Sequence, residues 1–429
     1  MLKLLILAYD FPPYVSVGGL RPYSWYKYLH QFDVYPVVIT RQWNNRHGNH
    51  LDYIAPGESS ETIAEESEIG TLIRTAYVPN LANRLLLKYG DSKYKLLRKS
   101  ISAFYELGQF LLPIGPKANL YHAADEYLKN NKVDCIIATG DPYILFKYAS
   151  KLGRKYSVPW IADYRDPWIQ DKSLKNSRLK NWFAFLERKI LADAYKVTTV
   201  QPFFKQQIEQ NVVNKDFGII YNGYDPDVIE LTKNITQNKD VLSIAFAGTI
   251  KDEDPVASFL GSCHEIIEEN PDFKLELNFY GINRERDIKE MVANQYWLLK
   301  NCTNIFPRMN NLELVKVMAE KNVLLLFNYH SILGTKIFDY LALKRKIILC
   351  YDEGTVTDQC ARPQAELINA TNSGIAINDA EHLKRILQEL SDVLKENGYI
   401  SCPSTGIDKY SRVRQVERLA EIVKGVAVN

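Results

Sequence analysis

Short apolar runs alternate with amphipathic stretches along almost the whole chain. The first run, at residues 4–8, ends at two prolines, and the alternation is clearest from residue 134 to residue 351. Strands of this length separated by helices are typical of parallel β-α-β units, so the pattern predicts an α/β fold. The predicted strands are residues 4–8, 35–40, 134–139, 159–163, 196–200, 218–221, 242–247, 275–280, 305–307, 323–328 and 347–351.

A polar segment without strand signal divides these strands into two sets. Residues 225–240 (DPDVIELTKNITQNKD) are the best linker candidate. The pattern therefore predicts two doubly wound domains, and a cleft between two such domains is a common ligand position. Residues 43–120 lack clear periodicity, and we interpret them as insertions and helices that cover the first sheet.

Composition narrows the class of protein. The 429 residues are 46% hydrophobic and 24% charged, which is ordinary for a globular chain of two or three domains. A net charge of +2, from 53 basic and 51 acidic residues, gives no overall field to attract nucleic acid. Six scattered cysteines without a C-x-x-C pair indicate neither a disulfide framework nor a zinc site. Apolar runs far below the roughly 20 residues of a membrane span predict a cytoplasmic protein.

The first candidate ligand site is the motif VGGLR, which follows the first strand and contains Gly18, Gly19 and Arg21. Paired glycines permit a close backbone approach, so that their amides can face an anion at a helix N-terminus. A tight turn without a ligand explains the pair equally well. The spacing is not G-x-G-x-x-G, which argues against a standard nicotinamide site.

The second candidate site directly follows the strand at 159–163 and contains Asp163, Arg165 and Asp166. Ligands of α/β folds gather at the carboxyl ends of strands, where Gly140-Asp141-Pro142 is also expected. Carboxylates and a guanidinium crowded there are costly unless they pair or act on a substrate. A structural Asp–Arg pair is the alternative to a catalytic group.

The third candidate site is the start of a predicted helix after the strand at 323–328, with Gly334, Thr335, Lys336 and Asp339. Free amides at a helix start suit phosphate, and side chains three positions apart share a helix face. An ammonium group beside a diphosphate and a carboxylate that accepts ribose hydroxyls is the functional interpretation. An ordinary surface ion pair is the alternative.

Six motifs in this order resemble those of the family 4-type GT-B glycosyltransferases, the glycogen-synthase-like transferases. They are FPP–VGGLR, TGDP, PWIADYRDPW, YNGYD, FAGT and GTKIFDYLALKRKIIL, and the resemblance covers nearly the whole chain, least recognisably at 43–120. It implies a GT-B fold, with two Rossmann-like doubly wound domains facing each other across a cleft. Residues 1–224 would bind the acceptor, residues 241–405 the donor, and a C-terminal helix in 406–429 would cross back to the N-terminal domain.

The activity that the resemblance implies is transfer of a sugar from a nucleotide-sugar donor to a saccharide or lipid-linked saccharide acceptor. Retention of the anomeric configuration, independence of metal ions and a role in polysaccharide or glycoconjugate biosynthesis follow from the same resemblance. No cofactor is expected beyond the nucleotide sugar as co-substrate, and no nucleic acid partner. The acidic run Asp252-Glu253-Asp254 is interpreted as solvated charge rather than as a metal site.

The resemblance also assigns site residues. Asp163, Arg165 and Asp166 would orient the acceptor in catalysis, although many members of the family have a histidine where Arg165 stands. Of two glutamates usual in the family, Asp339 replaces the second and Ser331 the first. The expected donor-binding set is Gly18, Gly19, Arg21, Gly248, Thr249, Lys251, Ser331, Gly334, Thr335, Lys336 and Asp339.

Two other classes of function stay open. The missing first glutamate favours a noncatalytic sugar- or nucleotide-binding protein on the same fold. Hydrolysis or epimerisation of a nucleotide sugar is the third option.

A basic segment at residues 84–100 (RLLLKYGDSKYKLLRKS) predicts a peripheral membrane contact. It combines leucine and tyrosine with six basic residues, a composition that suits an anionic surface such as the inner face of a membrane. A solvated helix over the sheet explains the segment equally well.

Overall fold

The computed structural model describes residues 1–14, 16–44, 51–169, 177–252, 254–327, 332–350 and 362–427. The chain forms two compact units. The first contains Met1–Asn222 and Val413–Asn429, and the second contains Gly223–Arg412. Each unit is built around its own sheet.

The first unit contains an eight-stranded sheet with the apolar run LKLLIL at its centre. This run forms β1 (Leu2–Leu7), whose last four residues are fully buried because helices cover both faces of a parallel sheet. The other strands are β2 (Val34–Arg41), β3 (Ile63–Ser67), β4 (Gly70–Thr75), β5 (Cys135–Gly140), β6 (Trp160–Tyr164), β7 (Lys196–Thr199) and β8 (Phe217–Ile219). Their order is β3-β4-β2-β1-β5-β6-β7-β8, and every neighbouring pair is parallel except β3 with β4.

Helices connect these strands. The first begins at Val17, where the Ser16 side chain accepts a hydrogen bond from the Gly19 amide. The helices are α1 (Val17–Tyr28), α2 (Leu81–Tyr89), α3 (Lys95–Gly108), α4 (Ala118–Asn130), α5 (Ile144–Tyr156), α6 (Ser177–Leu191) and α7 (Pro202–Glu209). Short 3₁₀ helices span Leu29–Phe32 and Asp52–Ile54.

The second unit contains an entirely parallel six-stranded sheet. Its strands are β9 (Leu242–Ala247), β10 (Leu275–Tyr280), β11 (Thr303–Phe306), β12 (Val323–Phe327), β13 (Lys346–Cys350) and β14 (Gly374–Ala376), in the order β11-β10-β9-β12-β13-β14. Its helices are α8 (Asp227–Thr232), α9 (Val256–Glu269), α10 (Glu285–Asn294), α11 (Asn311–Ala319), α12 (Lys336–Leu343), α13 (Pro363–Ala370) and α14 (Ala380–Asn397), with 3₁₀ helices at Trp297–Leu299 and Ile407–Tyr410. Both units therefore have the α/β, Rossmann-like architecture that the alternating pattern predicts.

Residues 225–240 are part of the second unit rather than a free linker. They contain α8, and the Asn238 amide donates a hydrogen bond to the Glu320 carbonyl at 2.8 Å. The division falls earlier, between Asn222 and Gly223, where Gly223 has a φ of +66° that favours glycine. The polar composition of the segment resembles that of a linker, and the sequence pattern does not indicate this long-range hydrogen bond.

The last helix, α15 (Arg412–Ala427), packs into the core of the first unit. Leu419 and Val423 are fully buried and share one apolar cluster with Ile6 and Trp25. The amphipathic spacing of α15 supplies this buried face.

Candidate functional site

Arg21 and Asp163 form a buried ion pair at the carboxyl end of the first sheet. Arg21 donates from Nε to Asp163 Oδ2 at 3.0 Å and from Nη2 to Oδ1 at 2.7 Å, while its Nη1 donates to the Ile220 carbonyl at 2.8 Å. Thr139 and Thr198, which lie beside Asp163 in register on β5 and β7, each donate a hydroxyl to the same carboxylate. The pair is fully hydrogen-bonded, as a buried charge requires.

This pair corrects one part of the sequence interpretation. The Asp–Arg pair expected at this edge forms with Arg21, 142 residues away in the chain, and not with the nearby Arg165. Asp163 is 0% exposed, and the three guanidinium nitrogens of Arg21 already donate to oxygen atoms of the protein. Both residues therefore have a structural role, because their hydrogen bonds join the carboxyl ends of β5, β6 and β7.

Arg165 instead faces Asp10, a residue that the sequence analysis does not single out. Its Nε donates to the Gly140 carbonyl at 2.8 Å, its Nη2 donates to the Asp141 carbonyl, and its Nη1 lies 3.8 Å from Asp10 Oδ2. The loops after β1, β5 and β6 thus converge on one guanidinium group, as expected at the carboxyl edge of a parallel sheet.

The two glycines of the VGGLR motif have different surroundings. A Cβ on Gly18 would lie 1.5 Å from Arg165 Nη1 and 2.8 Å from Asp10 Oδ2, so that only glycine leaves room for the guanidinium. The Gly19 amide donates to Ser16 Oγ at 3.0 Å, which caps α1. Gly18 therefore leaves space for the Arg165 guanidinium, whereas the Gly19 amide already donates its hydrogen bond within the protein.

Asp10 has one carboxylate oxygen without a protein partner among the described residues. Oδ2 accepts a hydrogen bond from the Ser16 hydroxyl at 3.0 Å, whereas the buried Oδ1 accepts none. Burial raises the pKa of Asp10, and the charge of Arg165 opposes this rise. Burial likewise raises the pKa of Asp166, again against the effect of Arg165. The edge holds carboxylates whose charge is only partly compensated, which is a feature of functional sites.

A cavity of about 160 Å³ lies in the same unit. Tyr53 lines this cavity and also senses the carboxylates at the edge of the sheet. Burial raises the pKa of Tyr53 most, and the charges of Tyr9, Asp10 and Asp141 raise it further. Arg41 supports the cavity wall: its guanidinium lies 3.4 Å from the Tyr77 ring centroid and donates to the Tyr53 carbonyl. The lining combines tyrosines with polar side chains, including Tyr9, Tyr53, Tyr77, Tyr105, Asn80, Asn83, Glu106 and Gln109.

In the second unit, the Lys336 side chain lies against the turn that follows β9. Its Nζ is 4.1 Å from the Phe246 ring centroid and donates to the Thr249 carbonyl at 3.4 Å. A Cβ on Gly248, whose φ is +95°, would lie 3.2 Å from Lys336 Cε. Burial lowers the pKa of Lys336 to about 8, with Asp254 opposing and Lys251 adding to the effect. Among the described residues no carboxylate forms an ion pair with this ammonium, which lies at a helix N-terminus, where a phosphate is favoured.

Asp339 lies one turn further along α12 and has different neighbours. Burial raises its pKa to about 6, Arg412 opposes this rise, and Asp225 adds to it. Among the described residues no ion pair joins Lys336 to Asp339, so the surface pair considered from the sequence does not form. The Tyr340 hydroxyl accepts a hydrogen bond from the Ala247 amide at 3.2 Å, which holds α12 to the end of β9.

The structure brings together several residues that the sequence assigns to the donor. Gly248, Thr249 and Lys336 are in contact, and Lys251 is near enough to lower the Lys336 pKa. Gly334 and Thr335 directly precede α12, and Ser331 lies outside the described residues. Gly18, Gly19 and Arg21 belong to the first unit.

Sequence reasoning missed three residues of these sites: Asp10, Arg412 and Gln364. Gln364 donates from Nε2 to the Ile332 carbonyl at 3.1 Å beside Gly334, and its buried Oε1 has no partner among the described residues. Asp10 stands just after a buried strand, a local signal that was available. Arg412 and Gln364 lie far along the chain from their neighbours, and no local signal marks them.

Comparison with protein-family models and with curated protein sequences gives no match. Solved structures do match, over almost the whole length of both chains. The sucrose-phosphate synthase of Thermosynechococcus elongatus has 13% identity and a TM-score of 0.58, covering 100% of this chain and 97% of that chain. The α,α-trehalose 6-phosphate synthase of Burkholderia multivorans has 10% identity and a TM-score of 0.58, covering 100% and 99%.

Anabaena HepE in complex with UDP has 12% identity and a TM-score of 0.57, covering 99% of this chain and 100% of that chain. HepE has also been captured with UDP-glucose. At such low identity these similarities establish the fold alone, and that fold extends over both units.

Proposed function

We propose that this chain, which has the GT-B fold, is a glycosyltransferase that moves a sugar from a nucleotide-sugar donor to a saccharide or lipid-linked saccharide acceptor. Transfer proceeds with retention of the anomeric configuration and without a metal ion. The product belongs to polysaccharide or glycoconjugate biosynthesis in the cytoplasm. The similar structures support the donor class, since one of them holds UDP and UDP-glucose.

The observation that carries the proposal is the Lys336 ammonium held over the Gly248 turn. A lysine whose burial lowers its pKa to about 8 gains an opposite charge when a diphosphate binds beside it. Lys336 is also the first residue of α12, where the helix dipole favours an anion. This arrangement supports a donor diphosphate bound by the second unit.

The residues that bind the nucleotide-sugar donor have different roles. Lys336, with Lys251 nearby, stabilises the negative charge that develops on the leaving phosphate, which is the main electrostatic demand of the reaction. Asp339 in its ionised form accepts hydrogen bonds from ribose hydroxyls. Gly248 is glycine because both its φ of +95° and the approach of Lys336 require it.

The acceptor groups lie at the carboxyl edge of the first sheet. The unpartnered Oδ1 of Asp10 accepts a hydrogen bond from an acceptor hydroxyl, and Arg165 and Asp166 orient the acceptor. Asp163 and Arg21 act as positioning residues, because their buried pair fixes the strand ends that carry Arg165. The tyrosine-lined cavity suits a sugar ring, whose apolar faces pack on aromatic rings while amides bind its hydroxyls.

Turnover of labelled nucleotide sugars with and without saccharide acceptors tests the proposal. Release of nucleotide that depends on the acceptor is the expected result. Release without acceptor would identify a hydrolase, conversion of the sugar itself would identify an epimerase, and tight binding without turnover would identify a noncatalytic binding protein. Asp392→Asn and Lys395→Met, two exposed positions of α14 in the same unit, are the matched controls for Asp339→Asn and Lys336→Met.

A further inference from the structure

The helices α2 and α3 and the turn that follows them carry a concentrated exposed apolar surface. Of the 24 large hydrophobic residues that are exposed in the described chain, ten lie within residues 81–112. The most exposed of the ten are Leu96 (82%), Leu111 (78%), Phe104 (65%) and Leu112 (64%). Such clustering in a short stretch marks an interaction surface, because singly scattered exposed apolar residues need no explanation but contiguous ones do.

The spacing of these residues produces a stripe rather than a scatter. Leu97 and Phe104 are seven positions apart on α3 and Leu107 follows three positions later, while Leu111 and Leu112 lie in the turn after the helix. Because seven residues make nearly two helical turns, the side chains of α3 line up along one side of the helix. The opposite side of α3 contributes Tyr105 and Gln109 to the tyrosine-lined cavity, so the stripe faces away from the body of the unit.

The same stretch has a larger excess of positive charge than the protein as a whole. Residues 81–112 contain six basic and two acidic residues, a net of +4, against +2 for the whole chain. Five of the six basic side chains are exposed, and the sixth, Arg98, is buried and donates to the carbonyls of Asp91 and Lys93 in the turn between the helices. The exposed basic residues therefore lie in the same segment as the apolar stripe. Arg98 stabilises the turn between the two helices through its hydrogen bonds.

Tyrosines lie at the boundary between the charged and apolar parts. The Tyr89 and Tyr94 rings contact each other at 5.3 Å in the turn between α2 and α3, and the ammonium groups of Lys88 and Lys93 lie over the Tyr89 ring. Tyrosine is enriched where an apolar phase meets water, because one end of its side chain is apolar and the other is polar.

We propose that residues 81–112, which we term the α2–α3 surface, dock the protein on an anionic phospholipid bilayer. The leucines and Phe104 enter the boundary of the acyl chains, and the exposed lysines pair with anionic headgroups, as in other interfacial helices. A second copy of this chain is a poor occupant, since a twofold interface would bring two sets of five exposed basic residues together. Among the described helices none has the length and apolar character to span a membrane, and docking at the interface does not require one.

Co-sedimentation of the full-length protein with vesicles tests this inference independently of any transferase activity. Vesicles of phosphatidylcholine mixed with phosphatidylglycerol are compared with vesicles of phosphatidylcholine alone. We expect binding to the mixed vesicles only, and weaker binding at about 1 M salt, where the Debye length is about 3 Å.

Two variants separate the contributions of charge and apolar surface. The charge variant Lys88→Glu, Lys95→Glu, Lys99→Glu loses at least about a hundredfold in vesicle affinity, since each lysine near an anionic leaflet contributes about fivefold and each glutamate adds repulsion. The apolar variant Leu96→Ser, Phe104→Ser, Leu111→Ser loses at least tenfold. The matched controls change exposed residues elsewhere: Lys289→Glu, Lys300→Glu, Lys395→Glu, and Val213→Ser, Trp297→Ser, Leu312→Ser.

Several results would overturn the inference. Equal binding to neutral and anionic vesicles, no binding to either, or equal losses in the controls each contradict it. Light scattering that shows a dimer dissociated by the apolar variant would assign the surface to a second copy. Because all the substituted side chains are exposed, the variants should melt with the wild type, and the single changes Leu96→Ala and Lys95→Gln give the same comparison with smaller losses if a triple variant does not fold.

Discussion

Arg165 occupies the space that a side chain on Gly18 would fill. A Cβ at position 18 would lie 1.5 Å from Arg165 Nη1 and 2.7 Å from its Cζ. The absence of a side chain at Gly18 thus allows the guanidinium to reach within 3.8 Å of Asp10 Oδ2. One residue in the first turn of α1 thereby sets the position of a charge carried by the loop after β6.

The change Gly18→Ala should therefore displace Arg165 while leaving the fold intact. The clash is with the far end of a flexible side chain, so we expect the free energy of unfolding to change by less than about 1 kcal/mol. A misplaced orienting group costs roughly a hundredfold in acceptor-dependent kcat/KM. Steady-state kinetics and thermal melting measure the two effects. Gly425→Ala, where an added Cβ meets no atom within 4 Å, is the control.

A double-mutant cycle decides whether Arg165 is the cause. If Gly18→Ala acts only through Arg165, it should have no further effect in an Arg165→Met background. Additive losses in kcat/KM would mean that Gly18 has another function, such as an approach to the donor.

Asp10→Asn tests whether the unpartnered carboxylate oxygen binds the acceptor. We expect a lower acceptor-dependent turnover, by roughly ten- to a hundredfold, since a hydrogen bond to a charged group contributes about 1.5–3 kcal/mol. Donor affinity should not change, because Asp10 belongs to the first unit. Proton NMR of the product gives the anomeric configuration. An inverted product would argue against retention and would instead make Asp10 a general base for the attacking hydroxyl.

The pH dependence of donor use follows from Lys336 and Asp339. The ammonium form of Lys336 is lost as pH rises through its pKa of about 8, and the ionised form of Asp339 is lost as pH falls through its pKa of about 6. The donor kcat/KM should therefore be bell-shaped, with limbs near those two values, because it reports the free enzyme. Lys336→Arg should remove the alkaline limb, and Asp339→Asn the acid limb, at a reduced plateau. A profile with unchanged limbs in both variants would assign the titrations to other groups.

Asp339→Asn should also stabilise the protein without ligand. The raised pKa means that the folded state binds the proton more tightly than the unfolded state, so stability falls as pH rises from about 4 to about 6. Above that window Asp339 is ionised, and burial of its charge destabilises the wild type. The free energy of unfolding of Asp339→Asn should therefore exceed that of the wild type by about 1–2 kcal/mol at pH 7.5. At a pH below about 4 the difference should vanish. Urea unfolding at the two pH values measures it, and a gain of equal size in Asp392→Asn would point to a general charge effect.

Much of the architecture is predictable from the chain because parallel strands are short, apolar and separated by helices. The predicted strand at 242–247 coincides with β9, and that at 275–280 with β10. The strands β3 and β4 escaped prediction. The edge strand β3 (IAEES) is mostly exposed and lacks the apolar run of a covered strand, and β4 lies beside it within residues 43–120, which lack clear periodicity. A polar composition similarly made 225–240 resemble a linker, although α8 forms there.

The candidate sites were predictable where neighbours in space are neighbours in sequence. The group around Lys336 could be located because a glycine-containing helix start follows a strand. The partners of Asp163 and Arg165 could not, because Arg21 and Asp10 are brought to them only when β1 pairs with β5 and β5 with β6. Sequence spacing does not encode such long-range pairs.

Calorimetric titration with uridine diphosphate and a panel of other nucleoside diphosphates tests the central claim most directly, because donor binding by the second unit underlies the proposed reaction. We predict that the wild type binds at least one of them, that Lys336→Met weakens this binding at least tenfold, and that the control Lys395→Met does not change it. A wild type that binds no nucleoside diphosphate, or a Lys336→Met variant that binds as tightly as the wild type, would contradict the account.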